Sequence, residues 1–412
     1  MSKIKYIDLF AGCGGLTEGF LTTDNYYDVA SVEWLKPQVE TLRNRLAEKW
    51  GYENSEDKVL HFDIQNEEEL FNGWNNSQYG QSNGLDSLVE NANGIDLVIG
   101  GPPCQAYSVA GRVRDKDGMK TDYRNFLFEH YLNIVDRYKP KMFVFENVPG
   151  ILSAKPGDVP VTELVKKGFE DIGYNIINNI KDNALINAAD YGVPQNRKRV
   201  IIVGISTEIA KEEVIQEFLL KFYNDILPKY KVENYKSVYE TLNDLEKFAP
   251  QVSKDRKTLA YLPIKGSGKS VSWHTPRFHS MRDKEIFSLL AEDIEKKTNK
   301  FPDSKSLSKL YEDRVGSKSP IHRYHVLRKD KPSTTIIAHL YKDGNRFIHY
   351  DYKQQRTISP REAARLQSFE DDFEFIGGQG AVYQMIGNAV PPKLSESIGY
   401  AIKELYELLI KA

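Results

Sequence analysis

The first 204 residues alternate short apolar runs with amphipathic stretches of helical period, and this rhythm constrains the fold more than any other feature. Apolar runs of roughly four to eight residues bounded by turn residues are typical of buried strands. Strands that alternate with helices predict a largely parallel sheet with helices on both faces. We therefore expect an α/β protein whose ligands bind at the carboxyl ends of the strands.

The first predicted strand, Lys3 to Phe10, runs directly into a glycine turn, Ala11 to Gly15, and a helix pattern begins at Leu16. Glycines allow the backbone to approach a ligand closely, and a helix N-terminus offers free N–H groups. The turn is not the full dinucleotide fingerprint, so by itself it is a weak signal. We interpret Cys13 within it as a small packing residue.

Two further predicted strands end in acids. Asp28 to Val32 leads into Glu33 and Trp34, and Lys58 to Phe62 leads into Asp63 and Ile64. Glu33 follows the glycine turn by about 20 residues, where an acid would meet ribose hydroxyls. A single acid at a strand end is usually a cap or turn residue. Two such acids in register with a glycine turn favour a site for an adenosine-containing ligand.

Two glycines and two prolines interrupt the chain after the apolar run Ile95 to Ile99, and Cys104 follows them. A cysteine at the carboxyl end of a strand is suited to act as a nucleophile, but it is equally consistent with a buried residue under a turn. The stretch from Ala110 to Asp122 lacks periodicity and is expected to be a lid-like loop. Glu146, at the end of the strand Lys141 to Phe145, is either a general acid or a turn acid.

Composition narrows the class of protein. The chain has 412 residues, 40% of them hydrophobic, and a net charge of −2. Its two cysteines make no disulfide framework, the eight histidines show no zinc-ligand spacing, and no apolar run approaches the ~20 residues of a membrane span. We therefore expect a cytosolic, reduced protein with no structural metal and no membrane partner.

Positive charge is concentrated in the second half of the chain. Residues 251–284 contain eight Lys or Arg against two acids, and residues 305–331 contain eight against three. Such blocks predict contact with a polyanion despite the acidic total. The segment 72–94, rich in Asn, Gly, Ser and Gln, is interpreted as a surface insertion of little functional weight.

The order of motifs resembles that of the cytosine-5 DNA methyltransferases across nearly the whole chain. The motifs that carry the resemblance are Asp8 to Gly15, Gly101 to Gln105 with Ser108, Glu146-Asn147-Val148, Gln195-x-Arg197-x-Arg199, Arg361-Glu362-Ala363-x-Arg365-Leu366-Gln367 and Gly387 to Pro392. Each could occur by chance, but all six in this order are specific. The resemblance implies a Rossmann-like, S-adenosylmethionine-dependent methyltransferase sheet with a second, smaller target-recognition domain.

The resemblance also implies catalytic roles. Cys104 would add to C6 of a cytosine, Glu146 would share a proton with N3, and Arg199 would hold O2 with Arg197 nearby. For S-adenosylmethionine, the implied binding residues are Phe10, Ala11, Gly12, Gly14, Glu33, Trp34, Asp63, Ile64, Pro103, Leu127, Asn388 and Ala389. No metal is implied.

Duplex DNA is the implied substrate, and a base must leave the stack to be reached. Gln105, Ser108, Arg112, Thr335, Arg277 and Arg323 are the candidate DNA-binding residues, and His274 and His325 are weaker candidates for reading base edges. Residues 1–204 with 386–412 would form the catalytic domain. Residues 205–385 would form the smaller one, with target recognition at about 205–350 and a hinge segment at about 356–385.

Alternatives remain open on the sequence alone. A related enzyme could methylate RNA, although the long variable region favours DNA. A non-catalytic DNA-binding relative would be expected to lack the cysteine or the glutamate, and both are present. A nicotinamide oxidoreductase is disfavoured by the incomplete fingerprint. We expect a monomer, with a cognate restriction endonuclease as a partner that acts separately.

Overall fold

The structure is a computed structural model that describes residues 2–103, 127–155, 158–252, 260–316, 324–342 and 344–411. It divides into two compact units that interleave along the chain. The first contains Met1–Gly192, Arg197–Glu233 and Ala389–Ala412, and the second contains Val193–Asn196 and Asn234–Asn388. The first unit thus continues beyond residue 204, where the sequence suggested a boundary, because the helix after the last sheet strand packs with it.

The strands are β1 (Ile4–Leu9), β2 (Tyr26–Glu33), β3 (Val59–His61), β4 (Trp74–Asn76), β5 (Gly80–Ser82), β6 (Leu97–Gly100), β7 (Met142–Asn147), β8 (Tyr174–Ile176), β9 (Leu185–Asn187), β10 (Gln195–Asn196), β11 (Lys198–Ser206), β12 (Phe248–Pro250), β13 (Tyr261–Pro263) and β14 (Ser333–Thr334).

The α-helices are α1 (Gly15–Thr22), α2 (Lys36–Trp50), α3 (Ser55–Lys58), α4 (Glu67–Asn72), α5 (Gly84–Asn91), α6 (Leu127–Tyr138), α7 (Val161–Asp171), α8 (Ile180–Asn183), α9 (Glu212–Lys221), α10 (Val238–Leu242), α11 (Met281–Lys296), α12 (Ser304–Val315), α13 (Pro360–Leu366), α14 (Gln379–Asn388) and α15 (Pro392–Lys411).

The first unit is built on one sheet with the strand order β3-β2-β1-β6-β7-β11-β8, and β9 also pairs with β11. Its first five strands in this order, β3, β2, β1, β6 and β7, are parallel, whereas β11 runs antiparallel to β7. Residues of β6 and β7 are buried throughout, as expected for strands covered on both faces. The mixed sheet with flanking helices confirms the predicted α/β class of fold.

Close packing of α1 against α15 brings the end of the chain back to its beginning. A Cβ at Gly15 would lie 2.2 Å from the Val390 carbonyl oxygen, and one at Gly19 would lie 2.3 Å from the Ser395 Cβ. Only glycine therefore lets the two helices approach to this distance. The Tyr26 hydroxyl donates a 2.6 Å hydrogen bond to the Gly399 carbonyl, which also joins α15 to the sheet.

The second unit consists of helices and short strands around its own apolar core. Ile286, Phe287 and Leu290 of α11 pack with Leu310 of α12 and Ile348. The two-residue strands β10 and β14 form a small parallel pair, and β12 and β13 form an antiparallel pair. This irregular architecture agrees with the loss of the strand–helix rhythm in the second half of the sequence.

Candidate active site

The sheet changes its winding direction between β1 and β6. From β1 the chain proceeds outward through β2 and β3, whereas β6 and β7 lie on the other side of β1. Leu9 is paired with Gly100 at the carboxyl ends of these two neighbouring strands. Connections that leave in opposite directions open a crevice at such a point, and ligands of open α/β sheets bind there. The glycine turn after β1 and the Gly-Pro-Pro turn after β6 both lie at this crevice.

The turn after β1 has an unusual backbone. Phe10, Gly12 and Gly14 have φ angles of 59°, 58° and 89°, all in the left-handed region. That conformation costs a non-glycine residue roughly 1–3 kcal/mol, so Phe10 is held there by its surroundings. A Cβ on Gly12 would meet no atom within 4 Å, which shows that the backbone here faces open space. The turn therefore leaves room beside its backbone for whatever occupies the crevice.

Glu33 ties this turn to the end of β2. Its carboxylate accepts hydrogen bonds from the backbone N–H groups of Gly12 (3.0 Å), Trp34 (2.9 Å) and Leu35 (2.8 Å). Burial raises the pKa of Glu33, while these three backbone hydrogen bonds act in the opposite direction. Since Oε2 accepts only one of the three, it keeps lone-pair capacity for a ligand hydroxyl.

The next residues form the rim of the crevice. Trp34 is 53% exposed at the end of β2, and its carbonyl accepts from His61 Nε2 at 3.1 Å. Ile64 is buried, and Asp63 accepts hydrogen bonds from the Gln65 backbone and side chain. Asp63 thus performs the turn role that the sequence left open. A further role towards a ligand stays a prediction.

On the other side of the crevice, Glu146 and Arg199 form a buried ion pair. Arg199 Nε lies 2.7 Å from Glu146 Oε1, and the side chains are 11% and 12% exposed. The two residues come together because β7 and β11 are antiparallel neighbours, with Glu146 paired to Ile201. Arg199 Nη1 also donates to the Lys198 carbonyl at 2.8 Å.

Gly101 lies directly over this pair. A Cβ on Gly101 would be 2.6 Å from Glu146 Oε2, so only glycine leaves the carboxylate in place. Asn147 Nδ2 donates to the Pro102 carbonyl at 3.3 Å, which fastens the following turn to β7. Pro103 is exposed and Leu127 is buried at the start of α6. The chain that leads to Cys104 therefore starts beside the Glu146 carboxylate.

Arg197 is fully buried and serves the C-terminal segment. Its Nη2 donates to the Ala389 carbonyl at 3.0 Å, and its backbone N–H donates to the Asn187 side chain at 3.1 Å. Burial lowers the pKa of the Arg197 guanidinium well below its usual value, and the charge of Arg199 acts in the same direction. Arg197 thereby fixes the position of Ala389, whose chain neighbour Val390 abuts Gly15.

Known proteins resemble this chain over nearly its whole length. Residues 4–404 match the family described as C-5 cytosine-specific DNA methylase. A type II methyltransferase of Bacillus paralicheniformis, M.Bpa9945I, is 33% identical, with 97% of this chain and 98% of the relative covered. M.Sau96I of Staphylococcus aureus is 31% identical over 96% of this chain and 74% of its own length.

The chain belongs to the C-5 cytosine-specific DNA methylase family.

Solved structures of methyltransferases share the fold. An E. coli prophage protein described as a DNA modification methyltransferase superposes with a TM-score of 0.62 at 22% identity and covers 98% of this chain and 100% of its own. The S. pombe Dnmt2 methyltransferase gives a TM-score of 0.54 at 15% identity, with 99% of each chain covered. At these identities the likeness concerns the fold alone.

The crevice suits the cofactor that this family uses, S-adenosylmethionine. The open space beside Gly12, the spare acceptor capacity on Glu33 and the exposed ring of Trp34 suit an amino acid, a ribose and a purine. Among the residues that the structure describes, no group of three or more His, Cys, Asp or Glu could hold a metal ion. Within the same residues, every helix is too short or too polar to cross a membrane.

Several predicted site residues lie outside the described ranges. These are Cys104, Gln105, Ser108, Arg112 and Arg323. Asn388 ends α14 in the second unit, so its predicted part in cofactor binding stays a prediction.

Within the second unit, two of the predicted DNA contacts have internal partners. Arg277 donates to the carbonyls of Leu340 (2.9 Å) and Tyr341 (3.3 Å) and lies over the Tyr383 ring. Thr335 Oγ1 donates to the Asn196 carbonyl at 2.7 Å. These bonds show what each side chain does for the fold and leave their DNA contacts as predictions.

His274 requires a correction. It is 6% exposed, and its ring nitrogens are engaged by the Ser359 hydroxyl (2.9 Å) and the Glu246 carbonyl (2.7 Å). Burial lowers the pKa of His274, which keeps the ring neutral. His274 is therefore a core residue of the second unit rather than a reader of base edges. His325 is half-buried, its backbone N–H donates to the Asn345 carbonyl, and its own carbonyl accepts from the Ile348 N–H.

Sequence reasoning missed the part played by Gln195. Its buried side chain accepts from the Ile336 N–H (2.8 Å) and donates to the Leu366 carbonyl (3.1 Å) and to Gln367 Oε1 (2.8 Å). Gln367 Nε2 in turn donates to the Ile386 carbonyl. Gln195 thus links three separated segments of the second unit, two of them directly and the end of α14 through Gln367. The only signal in the sequence was its fixed place two residues before Arg197.

Proposed function

We propose that this protein transfers a methyl group from S-adenosylmethionine to C5 of a cytosine in duplex DNA, through a transient bond between Cys104 and C6. Membership of the C-5 cytosine-specific DNA methylase family supports the reaction. The single structural observation that carries the residue assignment is the Glu146–Arg199 pair, 2.7 Å apart and directly beneath Gly101.

Cytosine C5 is a weak nucleophile until a group is added at C6. A thiolate that adds at C6 shifts electron density to C5 and N3, and cysteine is both a strong nucleophile and a good leaving group near neutral pH. Cys104 is the cysteine that follows the Gly-Pro-Pro turn, whereas Cys13 is fully buried and burial raises its pKa to about 12. The chain's other cysteine is therefore unsuited to this step.

Glu146 and Arg199 are placed to meet the charge that develops on the ring. Glu146 would share a proton with N3 as the thiolate adds, so that negative charge does not build up there. Arg199 Nη2 has no hydrogen-bond partner among the described residues and would donate to O2. After methylation, the C5 proton leaves to a base, the C5=C6 bond reforms and the Cys104 thiolate is expelled.

S-adenosylmethionine supplies the methyl group from a sulfonium centre. The Phe10–Gly14 turn and Trp34 would hold its amino acid and sugar side, and Glu33 Oε2 would accept from a ribose hydroxyl. Asp63, Ile64, Pro103 and Leu127 would surround the adenine. Asn388 and Ala389 would close the site, with Ala389 held by Arg197.

The target base must leave the DNA stack, at a cost of a few kcal/mol. Phosphate contacts from the basic blocks 251–284 and 305–331 would offset this cost. Gln105, Ser108, Arg112, Thr335, Arg277 and Arg323 are the candidate contacts. We propose residues 1–204 with 386–412 as the catalytic part, and 205–385 as the part that recognises the target.

A role in restriction and modification follows from the relatives, several of which are named type II methyltransferases. The protein would then act as a monomer in the bacterial cytoplasm, alongside a separate endonuclease of the same specificity.

The first experiment replaces Cys104 by serine. Methyl transfer to DNA should fall by several orders of magnitude, because a serine hydroxyl is a far poorer nucleophile at neutral pH. Binding of S-adenosylhomocysteine, measured by calorimetry, should be unchanged, since serine is nearly the same size as cysteine and Cys104 is not among the proposed cofactor residues. Turnover retained by Cys104→Ser would refute the covalent mechanism.

A second experiment identifies the substrate. The gene is expressed in a host that lacks cytosine methylation, and 5-methylcytosine is mapped across its DNA and its tRNA. We expect methylation at one short DNA sequence and none on tRNA. Methylation of tRNA alone would favour the RNA methyltransferase, and no methylation would favour a non-catalytic DNA-binding relative.

A further inference from the structure

The segment 72–94 contains the β4–β5 hairpin and α5, and the hairpin packs against the end of β3. Strands β4 and β5 pair in antiparallel fashion, and Asn76 Oδ1 accepts from the Tyr79 N–H at 2.8 Å in the turn between them. The Trp74 indole donates to the Tyr79 carbonyl at 3.3 Å. These bonds fix the hairpin turn, so the Tyr79 side chain has a defined direction.

Aromatic rings attach this hairpin to β3. Phe62, directly after β3, stacks on Trp74 with ring centroids 4.0 Å apart. The Tyr79 ring lies 5.0 Å from that of Phe62 and 5.1 Å from that of His61, with an edge-on angle of 81° to the latter. Tyr79 therefore packs on the two residues that immediately precede Asp63.

His61 continues the connection to the rim of the crevice. Its Nε2 is 3.1 Å from the Trp34 carbonyl oxygen, so the proton of the neutral ring lies on Nε2. Trp34 is the residue after Glu33, whose carboxylate holds Gly12. Tyr79, His61 and Trp34 thus form one chain of contacts from the hairpin to the turn that Glu33 organises.

We infer that the β4–β5 hairpin is part of the cofactor site, and that Tyr79 is a positioning residue that acts through His61 on the Trp34–Glu33 turn and the adenosine bound there. The inference rests on the proposed function, because the adenosine is that of S-adenosylmethionine. It reverses the interpretation of this segment as an insertion of little functional weight. The negative charge of Asp63 contributes to a raised pKa of Tyr79, after the larger effect of burial, which agrees with Tyr79 being near the adenine rim.

Binding of S-adenosylhomocysteine to the protein without DNA, measured by calorimetry, tests this inference. Tyr79→Leu removes both ring contacts, and we expect the Kd to rise roughly three- to tenfold. Tyr79→Phe keeps the ring and should bind as the wild type does. The KM for S-adenosylmethionine should rise by the same factor as the Kd, with kcat at saturating cofactor and the KM for DNA unchanged.

Tyr27→Leu is the matched control. Tyr27 is 39% exposed and stacks on Tyr52 at the beginning of β2, the end of that strand opposite Glu33. The same substitution there should leave cofactor binding unchanged. In a His61→Leu background, Tyr79→Leu should add less than its effect in the wild type, because the two residues act in one chain of contacts.

The possible results distinguish a failure of this inference from a failure of the proposed function. An unchanged Kd for Tyr79→Leu would overturn the inference and leave the proposed function intact. A Tyr79→Phe variant as weak as Tyr79→Leu would also overturn it, since the hydroxyl rather than the ring would then matter. Failure of the wild-type protein to bind S-adenosylhomocysteine would instead refute the proposed cofactor, and the inference with it.

Discussion

Replacement of Gly101 by alanine tests whether Glu146 must lie where the structure places it. The added Cβ would be 2.6 Å from Glu146 Oε2, whereas ordinary contact begins at 3.4 Å. The carboxylate must therefore move by roughly 0.8 Å. Gly101 does not have a positive φ angle, so alanine brings no backbone strain of its own. The substitution changes little besides the position of the carboxylate.

The Glu146 carboxylate has little freedom to move, because it is buried and its other oxygen is held by Arg199 Nε at 2.7 Å. A displacement of this size at a reacting group costs on the order of 100-fold in rate. That factor corresponds to about 2.7 kcal/mol of lost transition-state stabilisation. We expect Gly101→Ala to lower the rate of methyl transfer by that amount.

The assay is a single-turnover measurement with labelled S-adenosylmethionine and saturating DNA. Affinity for S-adenosylhomocysteine should be retained, because Gly12 and Glu33 lie on the far side of the crevice from Glu146 in strand order. Gly378→Ala is the control, since a Cβ there would meet no atom within 4 Å. A Gly101→Ala rate within about threefold of wild type would refute the reasoning, because Glu146 could then not be the precisely placed proton donor.

Two further predictions concern the buried acid of β2 and the basic blocks. Burial raises the pKa of Asp28 to about 7. Between about pH 4 and pH 7 the Asp28 carboxyl therefore keeps its proton in the folded protein, whereas it loses that proton in the unfolded chain. The free energy of unfolding consequently falls as the pH rises through that window. The amide side chain of the Asp28→Asn variant cannot titrate, so the difference in free energy of unfolding between this variant and the wild type should shift in favour of the variant by on the order of 3 kcal/mol from pH 5 to pH 8. Urea unfolding at the two pH values measures this difference. A difference that does not change with pH would contradict the raised pKa of Asp28. DNA affinity should fall steeply with salt despite the net charge of −2, by roughly 1000-fold between 50 and 200 mM if about six phosphates are contacted. Fluorescence-anisotropy titrations measure this affinity, and an affinity that does not change with salt would show that the basic blocks do not contact the DNA.

The sequence alone determined the class of fold and the order of the functional motifs along the chain. Apolar runs and helical periods are local patterns, so the strands ending at Leu9, Glu33 and His61 could be located to within a residue or two. Gly12 and Gly14 indicated a turn at which the backbone can approach a ligand, and the structure shows both of them in the left-handed conformation. Six motifs in a fixed order then indicated the family, which the comparison over residues 4–404 confirmed.

Contacts between residues distant in the chain could not be obtained in this way. Glu146 and Arg199 are paired because β11 runs antiparallel beside β7, and no local pattern specifies which strands become neighbours or in what register. The clash that makes Gly101 obligatory depends on another pairing, that of β6 with β7. His274 was misjudged for a similar reason, since its burial follows from Ser359 and Glu246, both remote in sequence.

The hairpin of residues 74–82 shows most clearly what the sequence alone could not predict. Its strands are three residues long and mostly polar, so they lack the apolar alternation by which strands are predicted. Its stability and its place beside the end of β3 come from Trp74 and Tyr79 packing on Phe62 and His61. The sequence determined where the chain turns and which residues can do the chemistry. Only the tertiary structure decided which of them meet, because side-chain packing and strand register depend on the whole fold.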